Sequence, residues 1–163
     1  MAKNLVVYFS VYGTAKNIAE EIARQTGADI MEIEPAVPYD SNRDHYSALA
    51  KLAKKEHDED MRPAMKNEIP VAEYDNIFIG YPMWWYTFPM ILYTFFDKYD
   101  FSGKTIIPFN THMGSGDGGT YRTIKRLEPN ATVLEGLPVE MTAAERGDPE
   151  RIKQWLMRIC PNL

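Results

Sequence analysis

The chain has 163 residues, a net charge of −5 and a single cysteine, with 45% hydrophobic and 25% charged residues. This length fits one domain around one core, and the negative charge argues against nucleic acid and anionic membranes as partners. The lone Cys160 excludes an internal disulfide and fits a reducing compartment, so we expect a cytoplasmic protein in which this thiol is buried and inert.

The chain begins with a pattern of strand, loop and helix. Residues 5–9 form a continuous apolar run, which is typical of a strand buried on both faces. This run is too short for a signal peptide. A glycine-containing loop follows at residues 10–14. Apolar residues then recur at helical spacing from residue 15 to residue 23, and Gly27 is expected to end the helix.

Strands and helices alternate through the rest of the chain. Further strands are predicted at residues 29–33, 76–80, 105–109 and 131–134, and helices at 45–60, 89–99, 121–127 and from Pro149 onward. Pro108 fits poorly in an interior strand. The helix at 45–60 is expected to turn a solvated face outward, made of Lys51, Lys54, Lys55, Glu56 and Asp58. This alternation predicts a single α/β domain, residues 1–163, around a parallel sheet with right-handed crossovers.

Three loops follow strands at the edge where such sheets bind ligands. The first, "SVYGTAK", opens a helix, and its backbone N–H groups form an anion site together with the hydroxyls of Ser10 and Thr14. The second, "YPMWWYTF", supplies flat aromatic faces. The third, "NTHMGSGDGG", supplies glycines that let the backbone approach a ligand. These features predict a planar, phosphorylated ligand. Of Trp84 and Trp85, we expect one to pack in the core and the other to face this ligand.

The same segments carry a resemblance to a known family. "YFSVYGTAKNIAEEI" resembles the phosphate loop of flavodoxins, and "IFIGYPMWWYTFP", "YDFSGKTIIPF" and "THMGSGDGG" together are similar to a short-chain bacterial subgroup of flavodoxin-like proteins. Each loop alone is a weak signal, but the ordered set covers nearly the whole chain. The resemblance implies a doubly wound sandwich with helices on both faces of a five-stranded sheet of order 2-1-3-4-5, and it implies bound FMN.

By this resemblance, one group of residues holds the phosphate and two groups lie along the sides of the flavin ring. The phosphate group is Ser10, Tyr12, Gly13, Thr14, Ala15 and Lys16. The ring groups are Pro82, Met83, Trp84, Trp85 and Tyr86 on one side, and Thr111, His112, Gly114, Ser115, Gly116 and Asp117 on the other. Tyr12 and Ala15 stand where flavodoxins usually carry hydroxyl or amide side chains. Lys16 either offers a compensating positive charge or simply faces solvent, which is the more common place for a lysine.

The second loop departs from the family in a way that bears on its redox chemistry. Flavodoxins commonly stabilise one-electron-reduced flavin by turning a peptide next to the ring, and a nearby glycine makes this turn inexpensive. Residues 81–86 include no glycine. The sequence therefore predicts a rigid loop and a protein that cycles more nearly as a two-electron carrier.

Other interpretations of these motifs are weaker. "GKT" at residues 103–105 precedes its strand and lacks the remaining P-loop glycine. Residues 114–119 match G-x-G-x-x-G but follow the fourth strand instead of the first. His112, Ser115 and Asp117 suggest a hydrolytic triad, although the nucleophile-elbow pattern is absent. The three histidines and one cysteine show no metal-ligand spacing.

The sequence therefore favours FMN-dependent electron transfer with a redox partner protein, for which the acidic surface suits a basic partner. The alternative is an NAD(P)H-dependent FMN oxidoreductase acting on quinones or flavins. A third class, a receiver-like binding module, lacks its expected acidic cluster after the first strand, where Phe9 and Ser10 stand. Monomer and dimer remain open alternatives.

Overall fold

Strands and helices alternate through residues 2–159 and 161, the part of the chain that the computed structural model describes. The strands are β1 (Asn4–Tyr8), β2 (Asp29–Glu32), β3 (Asn76–Pro82), β4 (Thr105–His112), β5 (Thr132–Val133) and β6 (Leu137–Glu140). The α-helices are α1 (Thr14–Thr26), α2 (Tyr46–Asp58), α3 (Met90–Lys98), α4 (Thr120–Leu127), α5 (Met141–Glu145) and α6 (Pro149–Ile159). Cys160, predicted to be a buried thiol, lies outside the described residues.

All strand pairs in the sheet are parallel, and the order β2-β1-β3-β4-β5 confirms the predicted flavodoxin-like topology. The fifth position differs from the expectation of one strand, because two short strands share it. Strand β5 pairs with the start of β4 and β6 pairs with its end. The sequence analysis missed β6, whose four residues include Pro138, and it missed the five-residue helix α5 that follows.

The divided fifth position explains why Pro108 is tolerated inside β4. Strand β5 pairs up to Ile106 and β6 resumes at Phe109, so nothing in the sheet pairs with Pro108 on that side. Ile106 accepts a hydrogen bond from Leu134 N at 3.0 Å on the same side. Because alternate residues of a parallel strand point their backbone groups the same way, the proline nitrogen faces the gap. The missing N–H therefore costs no sheet hydrogen bond, and β4 continues to His112.

Alternate residues of the central strands feed two cores, one on each face of the sheet. Leu5 and Val7 of β1 pack with residues of α3 and α4 on one face. Val6 of β1 packs on the other face with α1 and α6, where Trp155 is fully buried. The helix predicted from Pro149 onward is confirmed as α6, and it buries one stripe of apolar side chains: Ile152, Trp155, Leu156 and Ile159.

The solvated face predicted for α2 is confirmed for most of its members and is wrong for Glu56. The lysines and Asp58 are exposed, whereas Glu56 is only 6% exposed. Its carboxylate accepts the Tyr39 hydroxyl hydrogen bond, with Oη at 2.7 Å from one oxygen and 2.9 Å from the other. The segment before the helix therefore folds over Glu56 and removes it from water. Among the described residues, no helix is long and apolar enough to span a membrane.

Candidate functional site

A cleft of about 610 Å³ lies beyond the carboxyl ends of β1, β3 and β4. The structure brings together there twelve of the seventeen residues proposed from the sequence. These twelve are Ser10, Tyr12, Thr14, Pro82, Met83, Trp84, Trp85, Tyr86, Thr111, His112, Gly114 and Ser115. The three loops that the sequence analysis selected therefore meet at one cavity, at the edge where open parallel sheets place their ligands.

The entry loop, residues 9–13, leads from β1 into α1 and leaves backbone donors free at the helix start. Gly13 has a φ of 94°, and no side chain caps the helix. The first helical hydrogen bond runs from Asn17 N to the Gly13 carbonyl at 2.9 Å. The N–H groups of residues 14–16 precede that bond, so they have no partner within the helix. Together with the helix dipole they form a site for an anion.

The other five residues proposed from the sequence do not line the cleft with their side chains. Gly13 and Ala15 contribute backbone, and the Ala15 side chain is fully buried in α1. Lys16 points to solvent, where its Nζ lies 3.9 Å from Glu20, so it adds no direct contact to the cleft. The last two, Gly116 and Asp117, lie in the loop after β4, and Asp117 borders a smaller neighbouring pocket.

Tyr12 presents an unsatisfied hydroxyl at the cleft. Its oxygen is buried and has no hydrogen-bond partner among the described residues. Burial raises the pKa of this hydroxyl, so it stays protonated and can donate. Its ring lies 5.4 Å from the Arg43 guanidinium and 6.5 Å from the Tyr46 ring. Because buried polar atoms are normally paired, an orphaned donor on a residue that lines the cleft fits a ligand with a hydrogen-bond acceptor.

The aromatic turn, Trp84–Thr87, is a tight hairpin built from residues that rarely adopt its geometry. Trp84 N donates to the Thr87 carbonyl at 2.8 Å, and Thr87 N donates back at 3.2 Å. The two residues between them, Trp85 and Tyr86, have φ values of 52° and 64°. Turns with two positive φ values are usually made by Asn and Gly. The turn is therefore strained, at a cost of about 1–2 kcal/mol per left-handed residue.

Helix α2 holds this turn in place. The Trp85 indole N–H donates to the Ala50 carbonyl at 2.9 Å, and Lys54 Nζ lies 5.5 Å from the centre of the indole ring. The Trp85 side chain remains 41% exposed and Tyr86 is 79% exposed. Contacts from a distant helix thus compensate for local backbone strain.

The two tryptophans are placed differently, and the predicted division is met only in part. Trp84 packs edge-on against Phe9 and Tyr39, with ring centres 5.5 and 5.3 Å apart, and it belongs to the margin of the core. Trp85 faces outward. Packing of one tryptophan against the core is confirmed, but Trp84 is only partly buried and also lines the cleft, so contact of either ring with a flavin stays a prediction.

Two hydrogen-bonded chains beneath the surface shape the glycine loop, residues 114–119. In the first, Tyr121 Oη donates to Asn110 Oδ1 at 2.5 Å, and Asn110 Nδ2 donates to the backbone carbonyl of Gly116 at 2.9 Å. In the second, the Tyr81 hydroxyl donates to Thr120 Oγ1 at 2.7 Å, which donates to the Asp117 carbonyl at 2.6 Å. Both Gly116 and Asp117 are therefore held through their backbone.

The glycine loop also touches the aromatic turn directly. Gly118 has a φ of 55°, and a Cβ added there would lie 2.4 Å from Met83 Cε and 3.3 Å from the Tyr86 carbonyl oxygen. Only glycine allows this approach without displacement of Met83. Met83 therefore fills the junction between the two loops.

His112 does not form a hydrolytic triad. Its Nδ1 accepts a hydrogen bond from Gly114 N at 3.0 Å, so the proton of the neutral ring resides on Nε2. Burial lowers the pKa of His112, although the nearby Glu140 opposes this shift. Ser115 is exposed. Within the described ranges, no group of three or more His, Cys, Asp or Glu side chains is arranged to hold a metal ion.

Sequence reasoning missed the wall that α2 contributes to the cleft. Tyr46, Leu49, Ala50 and Ala53 line it, at the spacing of one helical face. That spacing is visible in the sequence, but the many charged residues around it favoured the interpretation of the segment as a helix with a solvated face. Val11, Met113 and Met141 also line the cleft and carried no distinguishing pattern.

Comparison with known proteins agrees with this geometry. The family model described as Flavodoxin matches residues 3–159. A candidate flavoprotein from Bacteroides eggerthii is 34% identical over 98% of this chain and 99% of its own, with a TM-score of 0.80. Another from Bacteroides uniformis is 32% identical over 96% and 98%, with a TM-score of 0.83.

A more distant structure shares the fold. It is a flavoprotein in complex with FMN from Lactobacillus acidophilus, 19% identical over 91% of this chain and 99% of its own, with a TM-score of 0.70. No curated protein sequence matches the chain. The match to the family model spans nearly the whole chain and the sheet has the order of the family, so the protein belongs to the flavodoxin family.

Proposed function

We propose that the cleft binds FMN and that the protein transfers electrons through it. The observation that carries this proposal is the uncapped start of α1 beside the aromatic turn. Free backbone donors and the Tyr12 hydroxyl suit a phosphate, and flat side chains that line the same cleft suit a conjugated ring. The FMN complex of the Lactobacillus acidophilus flavoprotein, which shares this fold, supports the choice of ligand.

The residues present fit FMN in three parts. The entry loop and the first turn of α1 would hold the phosphate through Ser10, Thr14 and the backbone of residues 13–16. The aromatic turn and the glycine loop would lie along the ring. When bound, FMN supplies the redox chemistry, and the protein binds and orients it and sets its potential.

The charge of the protein suits electron transfer with another protein. A net charge of −5 disfavours added negative charge on the cofactor, which lowers the reduction potential, and it favours docking of a basic partner. Tyr86 and Met113 are among the most exposed apolar side chains, and both line the cleft, where a redox partner would approach the ring. We assign no side chain as a catalytic acid or base.

The test is a comparison of FMN with riboflavin. Several charge-assisted hydrogen bonds to the phosphate, each worth about 1.5–3 kcal/mol, should make FMN bind at least about a hundredfold more tightly. Quenching of flavin fluorescence on titration with the protein measures both affinities. Equal affinities would show that the entry loop does not recognise a phosphate.

A second measurement separates the carrier from the oxidoreductase. The FMN-loaded protein is mixed with NADPH in a stopped-flow instrument, and the flavin absorbance is followed. A carrier that depends on a partner protein should be reduced only slowly by NADPH alone. Rapid reduction, followed by reoxidation on addition of a quinone, would assign the NAD(P)H-dependent activity instead.

A further inference from the structure

Glu56 is a buried acid that the proposed function does not use. Its side chain lies under the segment that precedes α2, and the Tyr39 hydroxyl is its hydrogen-bond donor. No basic side chain of the described residues forms an ion pair with it. Burial raises the pKa of Glu56, and the hydrogen bond from Tyr39 opposes this rise. A buried carboxylate without a cation is costly, and the Tyr39 phenol is its hydrogen-bond donor among the described residues.

The phenol connects this acid to the cleft. The Tyr39 ring meets the Trp84 ring edge-on, with centres 5.3 Å apart and planes at 82°. Trp84 in turn lines the cleft. Phe9 touches both rings, but its benzene ring is far harder to oxidise than an indole or a phenol. An unbroken contact therefore runs from the cleft through Trp84 to Tyr39 and ends at Glu56.

We propose that Trp84, Tyr39 and Glu56 form an oxidation path that carries a one-electron hole away from the cleft. A one-electron oxidant in the cleft, such as a photoexcited flavin, takes an electron from the Trp84 indole. Tyr39 passes an electron to the oxidised indole and restores it. The Tyr39 O–H proton moves to the Glu56 carboxylate at the same time. The products are neutral Trp84, a neutral Tyr39 phenoxyl radical, a protonated Glu56 and the oxidant, now reduced by one electron.

The hydrogen bond to Glu56 is what makes Tyr39 a suitable end point. An oxidised phenol is strongly acidic, so it retains the hole only if its proton has an acceptor. Glu56 provides that acceptor at 2.7 Å, and its burial keeps the acceptor inside the protein. The path would protect the residues around the cofactor from oxidative damage.

Other aromatic side chains lack one part of this arrangement. The Trp155 indole lies against Phe78 in the opposite core and donates to the Glu135 carbonyl. Tyr74 donates to the Asp29 carboxylate at 2.6 Å, so it has a proton acceptor, but no aromatic ring of the described residues is packed against it. Tyr74 is therefore a matched control for Tyr39.

The experiment uses pulse radiolysis of the full chain with the azide radical, which oxidises tryptophan in preference to tyrosine. The Trp85→Phe background leaves Trp84 as the accessible indole, since Trp155 is fully buried. We expect tryptophanyl absorbance to decay as tyrosyl absorbance rises, at a rate independent of protein concentration. Tyr39→Phe and Glu56→Gln should each slow this first-order step by about tenfold or more, whereas Tyr74→Phe should leave it unchanged.

An unchanged rate in Tyr39→Phe would overturn the path, and an unchanged rate in Glu56→Gln would overturn the role of Glu56 as proton acceptor. If Tyr39→Phe fails to fold because Glu56 loses its donor, Tyr39→Phe with Glu56→Leu removes both polar groups and repeats the test. The biological meaning rests on the proposed function. The azide measurement needs no FMN, so a failure to bind FMN and a failure of hole transfer are separate results.

Discussion

The entry loop and the aromatic turn lie at the same edge of the sheet but are built in opposite ways. The entry loop uses Gly13 where a positive φ is needed, and its donors are free because a helix begins there. The aromatic turn places Trp85 and Tyr86 at positive φ and depends on α2 to hold them. One element is determined by its own sequence, and the other by residues more than thirty positions away. Substitutions should therefore affect them differently.

The largest effect is expected from Trp84→Ala. Trp84 packs against Phe9 and Tyr39, so its loss should leave a cavity and reduce the free energy of unfolding by about 3 kcal/mol. Trp85→Ala removes a half-exposed ring and its hydrogen bond to Ala50, and should cost less, about 1–2 kcal/mol. Urea denaturation of both variants measures the difference. Equal losses would mean that the two tryptophans do not divide into core and surface.

Gly13→Ala should destabilise the entry loop by about 1–2 kcal/mol. The added Cβ meets no atom within 4 Å, so the whole cost comes from the φ of 94°. Thermal unfolding checks the value. Gly27→Ala is a matched control, because Gly27 also has a positive φ and open space but lies at the far end of α1. Only Gly13→Ala should also weaken FMN binding relative to riboflavin.

Tyr86→Gly in the aromatic turn should increase the stability of the protein, whereas Gly13→Ala in the entry loop should decrease it. Glycine adopts a φ of 64° without strain, and the exposed Tyr86 side chain contributes little packing. We expect a gain of about 0.5–1 kcal/mol in the free energy of unfolding. A loss of stability would show that the tyrosine makes contacts that outweigh the strain.

A smaller effect on stability is expected from a change of pH. It arises from Glu56, which lies in α2, the helix that holds the aromatic turn. Burial raises the pKa of Glu56 in the folded protein, so the folded state binds more protons than the unfolded state above the ordinary value of 4.5. The contribution of Glu56 to stability should therefore fall as pH rises through that window. Glu56→Gln should remove this part of the pH dependence. Urea denaturation of both proteins from pH 4 to pH 8, about the range of ordinary carboxyl and histidine titration, measures it.

The smallest signal should come from one-electron-reduced FMN. The aromatic turn contains no glycine and is tied to Ala50, so a peptide there cannot turn cheaply toward the ring. Photoreduction of the FMN-loaded protein should show little of the blue one-electron form near half-reduction. A large blue band would contradict the link between a missing glycine and two-electron behaviour, and Tyr86→Gly should increase the band if that link holds.

The elements that are determined by local sequence patterns could be predicted from the sequence. The strand and helix on either side of the entry loop have strong periodicity, and Gly13 marks the turn between them. The left-handed geometry of Trp85 could not be predicted, because no bulky residue favours it and only the contact with Ala50 explains it. Glu56 looked like part of a charged run, and its burial depends on Tyr39, seventeen positions earlier, where no periodic signal exists.

Strand ends were also harder to predict than strand centres. The fourth strand was expected to end at residue 109, yet it continues through Asn110, which is fully buried. Polar residues at a strand end usually indicate a loop. Asn110 stays in the strand because the glycine loop folds back over it and pairs with its amide. That hydrogen bond forms only in the tertiary structure, so no local sequence pattern predicts it.

The close approach of Gly118 to Met83 has a consequence for the kinetics of ligand exchange. Because the glycine loop and the aromatic turn are in contact, neither can swing outward without disturbing the other. The entry loop packs against the aromatic turn through Phe9, and its last residue, Gly13, is fixed by the first hydrogen bond of α1. A bound ligand would therefore leave only when the glycine loop and the aromatic turn open together, and its anionic end would be released last. Amide hydrogens of the two segments should accordingly exchange with deuterium at a common rate, slower in the loaded protein than in the free one.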